Sequence, residues 1–310
     1  MMHDRSNHMS SITVAIPTFC REAVLLETIE HLLSLPTRAQ EVLIVDQTPQ
    51  HDASTTNRLC RWAEQGSIRW IRLDRPSITA AMNHALEMAR TPLVMFMDDD
   101  VVPVSDLVKI HQEAHLQDSS LWATVGQIIQ PWQEPSRIEP PRALKGLQTD
   151  FDFPFHSMVE TDVQNAMAGN LCVNRAKALS IGGFDETFVG SAYRFETDFA
   201  KRIVKAGGRI RFLGSAGLLH LKASAGGTRS EGSHLTSASP AHGFGDYYYA
   251  FRHGTAAEAW RYSGRRIIGE VRTRFHLRHP WWIPVKLLGE FRAMVAGFRA
   301  AKMSRKPSGG

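Results

Sequence analysis

Cysteine is scarce in this sequence: Cys20, Cys60 and Cys172 are its three, far apart and odd in number, with no CxxC pair. That argues against a disulfide framework and points to a reducing cytosol. Long apolar runs are missing as well. No window of about 18 apolar residues occurs, so no membrane-spanning helix is expected. No basic segment followed by an apolar stretch opens the chain, so a secretory leader is not expected either. There is no internal repeat and no nucleic-acid recognition motif. The first ten residues are polar and read as a disordered start.

What is present is an ordinary globular composition over 310 residues, 43% hydrophobic and 22% charged, enough to bury a sizeable core. The formal charge of +5 is unevenly spread. Arg252 to Gly310 holds thirteen Lys/Arg against three Glu, a difference of +10, which leaves the remainder at −5. A near-neutral body therefore carries a strongly basic tail.

Along the body, strand and helix patterns alternate. Ile12–Pro17 is a β-branched run; Val24–Leu33 has helical periodicity and is stopped by Pro36; Glu41–Asp46 is a second strand. Thr55–Gln65 reads as a helix, Ile68–Leu73 as a strand, and Ser77 caps a helix running to Arg90. Leu93–Met97 follows, an apolar strand cut off by Asp98-Asp99-Asp100. This β-α-β-α-β-α-β order predicts a mostly parallel sheet flanked by helices. Ligands of such sheets bind at the carboxyl ends of the strands. Three acids there repel one another unless a hard divalent cation and a phosphate join them. The plain alternative is an acidic turn.

Beyond Asp100, a helix capped by Ser105 is expected to Leu116, then a strand over Trp122–Ile129. Pro131, Pro135, Pro140 and Pro141 predict a long loop to Phe155. Asn174 is placed as a cap, Glu196–Ala206 as a helix and Arg209–Leu213 as a strand; the Gly-, Ser- and His-rich 223–242 segment reads as a loop.

Four pieces in order resemble family 2 glycosyltransferases of the GT-A fold, over roughly Ser11 to Arg229. Val14-Ala15-Ile16-Pro17-Thr18-Phe19-Cys20-Arg21 looks like the opening strand and turn; Val45-Asp46 looks like the second strand's acid. Asp98-Asp99-Asp100 looks like a DXD motif. Gly182-Gly183-Phe184-Asp185-Glu186 followed by Glu196-Thr197-Asp198-Phe199-x-x-Arg202 looks like the acceptor turn and the base-bearing helix. Two pieces depart from the pattern. The acids usual after the second strand are replaced by Gln47-Thr48-Pro49, with Asp52 displaced, and the "A-R-N" segment keeps only Asn83.

The resemblance implies metal-dependent transfer of a sugar from a nucleotide-diphosphate sugar, with inversion, to a glycan or lipid-linked acceptor, as in polysaccharide biosynthesis. Pro17, Thr18, Phe19, Arg21, Asp46, Asn83, Asp98, Asp99 and Arg229 are then expected at the nucleotide, Asp99 also having a structural reading. Asp100 and Asp98, with His220, are expected to hold Mg²⁺ or Mn²⁺. Glu196 is the first candidate for general base and Asp198 the second; acids at a helix start also serve the helix dipole alone. Gly183, Asp185 and Glu186 are expected at the acceptor, and Gly169-Asn170 with Arg175 at the floor of the donor site. Gly226-Gly227-Thr228-Arg229 has the composition of a phosphate-touching loop.

The expected organisation is a disordered 1–10, a GT-A domain over 11–245 (nucleotide half 11–103, acceptor half 104–245) and a basic helical extension over 246–310. Within the extension, Leu287, Leu288, Phe291, Met294, Val295 and Phe298 recur at helical spacing, with Lys286, Arg292 and Arg299 elsewhere on the wheel. That suits the inner, anionic face of a membrane, and equally a helix packed on the body or on a second copy. Three rival functions remain: a catalytically silent nucleotide-sugar binder; a nucleotidyltransferase, against which stands the lack of a Gly-rich, Lys-containing phosphate loop after the first strand; and a non-enzymatic basic scaffold at the membrane, which would need the acid triplet to be incidental.

Overall fold

The computed structural model describes residues 11–138, 147, 153–223, 225–227 and 233–304. The expected disordered start, Pro140 and Pro141, Arg229 and the last six residues lie outside them.

The first half alternates as its periodicities require: β1 (Ile12–Thr18), α1 (Ala23–Leu33), β2 (Glu41–Asp46), α2 (Ala53–Glu64), β3 (Arg69–Arg72), α3 (Ile78–Met88) and β4 (Leu93–Met97). Then come β5 (Val101–Pro103), α4 (Leu107–Gln117), β6 (Leu121–Ile129), β7 (Thr161–Val163), β8 (Asn170–Asn174), α5 (Arg175–Ser180), α6 (Phe195–Lys205) and β9 (Arg209–His220). Four helices follow: α7 (Phe244–His253), α8 (Ala256–Val271), α9 (Arg274–Arg278) and α10 (Ile283–Ser304). One sheet runs in the order β3-β2-β1-β4-β8-β6-β9-β5, with β7 on β9. Its β3-β2-β1-β4 half is parallel and the rest is mixed.

Side chains of a strand alternate between faces, and both faces of this sheet are covered. Ile12, Val14, Ile16, Met95 and Met97 enter one core with α1, α2 and α4. Ala15, Val94 and Phe96 enter the other with α3, α6 and α7. That two-sided burial is why β1 and β4 read as unbroken apolar runs. Ser77 and Asn174 cap α3 and α5, accepting from the Ala80 and Lys177 amides. Asp52, displaced from the family pattern, caps α2 by accepting from Thr55 N–H at 2.6 Å.

Three elements differ from expectation. α4 starts at Leu107 after Asp106, with no side-chain cap, rather than being capped by Ser105. β9 runs to His220 instead of ending at Leu213. A bulge, with Leu213 opposite Gly126 and then Gly217 opposite Gln127, lies within the longer strand. The third is α10, whose buried face is Lys286, Gly289, Glu290, Ala293, Gly297 and Ala301, while Leu287, Leu288, Phe291 and Phe298 are exposed. Lys286, placed by sequence away from the packing face, is 2% exposed and pairs with Glu290 at 2.9 Å and Glu270 at 2.6 Å. Glu290 also accepts from Tyr247 Oη at 2.7 Å, and Arg266 bridges it to Asp246. The helix is thus seated by a closed polar network, with small residues for close approach: a Cβ at Gly297 would come within 2.6 Å of the Tyr248 nitrogen. Tyr247, Tyr248, Tyr249, Ala259 and Ala293 fall in the same buried cluster as Phe96, Phe184 and Phe212, so the core is continuous between sheet and tail.

His111 of α4 is fully buried between Thr124 and Asn170, and burial lowers its pKa from 6.5 to about 4. Between those values the unfolded chain binds the proton and the folded chain does not, so stability falls as the pH drops from about 6.5 toward 4. The loss expected from this one group is on the order of 3 kcal/mol. Urea melts from pH 7 to pH 4.5 should show that slope, and His111→Gln should flatten it; an unchanged slope contradicts the assignment.

Candidate active site

The acid triplet lies at the carboxyl end of β4, in the middle of the sheet, and its backbone is braced from two sides. Thr28 of α1 bonds Asp99 C=O and the Val101 amide, and Leu221 N–H bonds Asp100 C=O at 2.7 Å. The three side chains part company. Asp99 accepts from Thr18 Oγ1 at 2.7 Å and faces Arg21 Nε at 3.2 Å. Asp98 and Asp100 turn toward His220, whose Nε2 lies 3.6 and 3.2 Å from them. β9 brings that histidine opposite Val101 of β5. One ligand atom each from Asp98, Asp100 and His220 lie within 4.8 Å of one another.

Electrostatics follow this division. Burial raises Asp99 to about 7, against the lowering effects of Arg21 and Thr18. Asp98 is also raised, by desolvation within the cleft, although its side chain is 44% exposed. Asp100 is also partly desolvated, but its bond with His220, the Ala223 amide at 2.8 Å and Arg21 hold it below the usual carboxylate range. His220 is correspondingly raised, its contacts with Asp100 and Asp98 outweighing burial. Its Nδ1 is buried with no hydrogen-bond partner. Two carboxylates and an imidazole nitrogen converging across a cleft form a donor set that suits a divalent ion of the Mn²⁺ type and, through the oxygens, Mg²⁺.

These side chains line a cleft of about 230 Å³ together with Pro17, Thr18, Phe19 and Arg21. The start of α6 lines it too, and there Glu196 Oε1 accepts from Ala168 N–H at 2.6 Å. Desolvation, with a smaller push from Asp98, lifts Glu196 to about 7. Asp198, two residues on, projects from another side of the helix, since i and i+2 do not share a face. It is fully buried and bonded to His253 (2.7 Å), Arg202 (2.8 Å) and Arg252 (3.0 Å). Burial pushes its carboxyl up, but the His253 bond and both arginines outweigh that and hold it low. Asp198, the second candidate for base, is therefore away from the cleft, anchoring α6 to α7.

Several other expectations are corrected in the same way. Asp46 is fully buried and occupied by His51, Trp70 and the Thr48 amide, leaving nothing for a base; Gln47 lines the cleft instead. Asn83 clamps the glycine turn through Phe184 N–H, Phe184 C=O and Glu186. Gly183, at φ +61°, faces that asparagine: a Cβ there would be 2.4 Å from Asn83 Oδ1. Asp185 is tied to Tyr248 and Arg252, both at 2.7 Å, and of the three residues expected at the acceptor only Glu186 is exposed. Asn170 is buried against His111, Gln127 and Ala216, and Arg175 bonds the end of α3. Gly226 and Gly227 pack on Cys20 and Arg21, and Gly227 lines the cleft; Arg229 lies outside the described residues. Sequence reasoning missed Ile78, Met167, Ala168, Ser191 and Phe195 as lining residues. Only Ala168 had a signal, as the neighbour of Gly169-Asn170.

The sequence pattern of glycosyl transferase family 2 matches residues 13–167, half of the chain. The chain belongs to that family. Among solved structures, it is similar to GalNAc-T7, crystallised with UDP, GalNAc and Mn²⁺, at 13% identity and TM-score 0.60, covering 82% of this chain and 54% of that one. It thus spans about half of GalNAc-T7. A second similar structure is the mannosyltransferase PcManGT from Pyrobaculum calidifontis in complex with GDP-Man and Mn²⁺, at 17% identity and TM-score 0.50, covering 94% and 78%. No curated protein sequence matches the chain. The family makes the protein a glycosyltransferase, and the structural likenesses identify its GT-A fold.

Three substitutions test these assignments, two on α6 and one just before β8. Asp198→Asn leaves buried cations uncompensated and is expected to cost on the order of 3 kcal/mol in urea melts, while Glu196→Gln leaves stability unchanged or higher. The wild-type advantage over Asp198→Asn should shrink as the pH falls below the carboxylate range, because a lowered folded pKa stabilises only above it. Gly169→Ala puts a Cβ 2.3 Å from Asp98 Oδ2. It should weaken Mn²⁺ binding by about tenfold or more in calorimetry, and unchanged affinity would remove Asp98 from the ligand set.

Proposed function

We propose that the protein transfers one sugar from a nucleotide-diphosphate sugar to a hydroxyl of a glycan or lipid-linked acceptor, with inversion at the anomeric carbon. The observation that carries this reading is the make-up of one cleft: ligand atoms of Asp98, Asp100 and His220 lie within 4.8 Å of one another, and Glu196 lines the same cleft outside that cluster, held by the Ala168 amide. Of the acids lining it, Glu196 alone is uncommitted to the His220 and Arg21 cluster.

In this reading Glu196, oriented by the Ala168 amide, takes the proton of the acceptor hydroxyl. The oxygen then bonds to the anomeric carbon from the face opposite the leaving group. The carbon–oxygen bond to the diphosphate breaks, and its electron pair leaves with the nucleoside diphosphate. Asp98, Asp100 and His220 would hold Mg²⁺ or Mn²⁺, which would supply positive charge to the departing diphosphate. Thr18, Phe19 and Gln47 line the nucleotide side, and Arg21 fixes the acids from below. Among the described residues lining the cleft, Glu196 is the one carboxylate outside the acid triplet, which supports a single displacement and hence inversion. A base with a pKa near 7 is matched to neutral pH, where it is partly ionised and still basic enough to accept the proton. The enzyme works on the cytoplasmic side, and a lipid-linked acceptor would bring it to the inner membrane face. In this reading the body carries the catalysis and the basic tail faces the membrane; the expected boundary at 245/246 falls inside α7, whose tyrosines belong to the body's core.

The test is a panel of nucleotide-sugars with Mn²⁺. At least one should raise the thermal midpoint and be turned over, whereas no shift with any donor rules the transferase reading out. Glu196→Gln should lower turnover by about a hundredfold or more with donor affinity retained. Because the base must be ionised, kcat of the wild type should rise with pH through about 7 and level off above it. A flat profile across that range would exclude Glu196 as the base.

A further inference from the structure

We propose that the outward face of α8–α10 is a docking surface for an anionic lipid bilayer. This deepens the lipid-linked acceptor reading above and rests on it for its purpose, though not for its physics. The face is apolar where a soluble helix should be polar. Leu277 is 73% exposed, Trp281 65% and Phe291 58%, joined by Leu287, Leu288 and Phe298. On α10, Leu287, Leu288, Phe291 and Phe298 fall on one side of the wheel. Rotation cannot bury them. The opposite side is committed to the Lys286–Glu290–Glu270 network and to glycines that meet backbone, Gly297 at Tyr248 and Gly289 at Ser237.

Charge names the occupant. The segment from Arg252 onward has no aspartate, and its three glutamates are spent internally. Glu258 caps α8 at Thr255, and Glu270 and Glu290 hold Lys286 and Arg266. Arg272, Arg274, Arg278, Arg292, Arg299 and Lys302 are exposed around the apolar stripe with no carboxylate of the tail left for them. Phe298 touches Trp260 of α8 with ring centroids 6.5 Å apart, so the apolar surface continues from α10 onto α8. Aromatic and aliphatic side chains ringed by arginine match the boundary between anionic headgroups and acyl chains. A nucleic acid would use the arginines and leave the six apolar side chains in water. No helix among the described residues is long and apolar enough to cross a membrane, so the contact is a surface one.

The experiment is flotation of the full chain with vesicles of phosphatidylcholine alone and of phosphatidylcholine with phosphatidylglycerol. Binding should require the anionic lipid, weaken with salt, and shift Trp fluorescence to the blue. Reversal of Arg274, Arg278, Arg292 and Arg299 to Glu should reduce vesicle affinity on the order of a hundredfold. Leu288→Ser with Phe291→Ser should abolish the insertion signal at unchanged thermal midpoint, which guards against misfolding. Equal flotation on both lipids, or none on either, overturns the proposal. So does a concentration-dependent dimer that Phe291→Glu dissolves, because a second copy then covers the face. Donor binding is measured in parallel without vesicles, so a failed donor panel with intact flotation would count against the transferase reading and for the docking surface.

Discussion

Three adjacent carboxylates at the end of a buried strand set the constraint that the rest of the structure answers. Left alone they would protonate or drive the turn into solvent. Arg21, buried beneath them, balances Asp99 and Asp100, and Thr18 ties Asp99 down. Thr28, Leu221 and Ala223 fix the turn's backbone and one carboxylate from α1 and from the segment after β9. Only Asp98 is left substantially open to the cleft, its side chain 44% exposed. The cluster is therefore preorganised with two acids restrained and one presented, and the residues that do this come from β1, α1, β4 and β9. The long reach of β9 belongs to the same solution, because it brings His220 to the acids.

A second charge problem is solved at the start of α6. Glu196 stays poised near neutrality only if desolvation is not cancelled by nearby cations. The arginines and histidine of this region are drawn to Asp198, Asp185 and Asp246 instead. Arg194, immediately before α6 with a left-handed backbone (φ +76°), is paired with Asp246 at 2.9 Å, and its lowering effect on Glu196 is smaller than desolvation. Asp246 of α7 thus engages the cation that bears on Glu196. That gives the C-terminal helices a part in the cleft's electrostatics, although none of their side chains lines it.

Sequence made the sheet's first half legible because both periodicities and caps were local: Ile12–Pro17, Glu41–Asp46 and Leu93–Met97 needed no partner to be recognised. The triplet and Glu196 were legible from their order and spacing. What sequence could not give was which polar groups face inward. Asp46 looks like a ligand contact and is consumed by His51 and Trp70, both several residues away. Lys286 looks like a solvated charge on a helix wheel, and only the arrival of Glu270 from another helix makes its burial possible. In each case the deciding partner is distant in sequence, and a carboxylate or amine has the same letter whether paired or open.

Glu196 and Asp198 show that limit at its narrowest. As letters they are interchangeable acids in the first turn of one helix, and either could serve as a base or as a complement to the dipole. The helix itself separates them, since two residues of advance carry the second side chain more than half a turn round the axis. One then meets the cleft and the Ala168 amide, the other meets α7 and three basic groups. Their surroundings drive their acidities apart, Glu196 up to about 7 and Asp198 below the carboxylate range. A group that must trade protons at neutral pH cannot also serve as the permanently ionised anchor for buried arginines. The chain therefore needs two acids here, and the pitch of the helix keeps their duties apart.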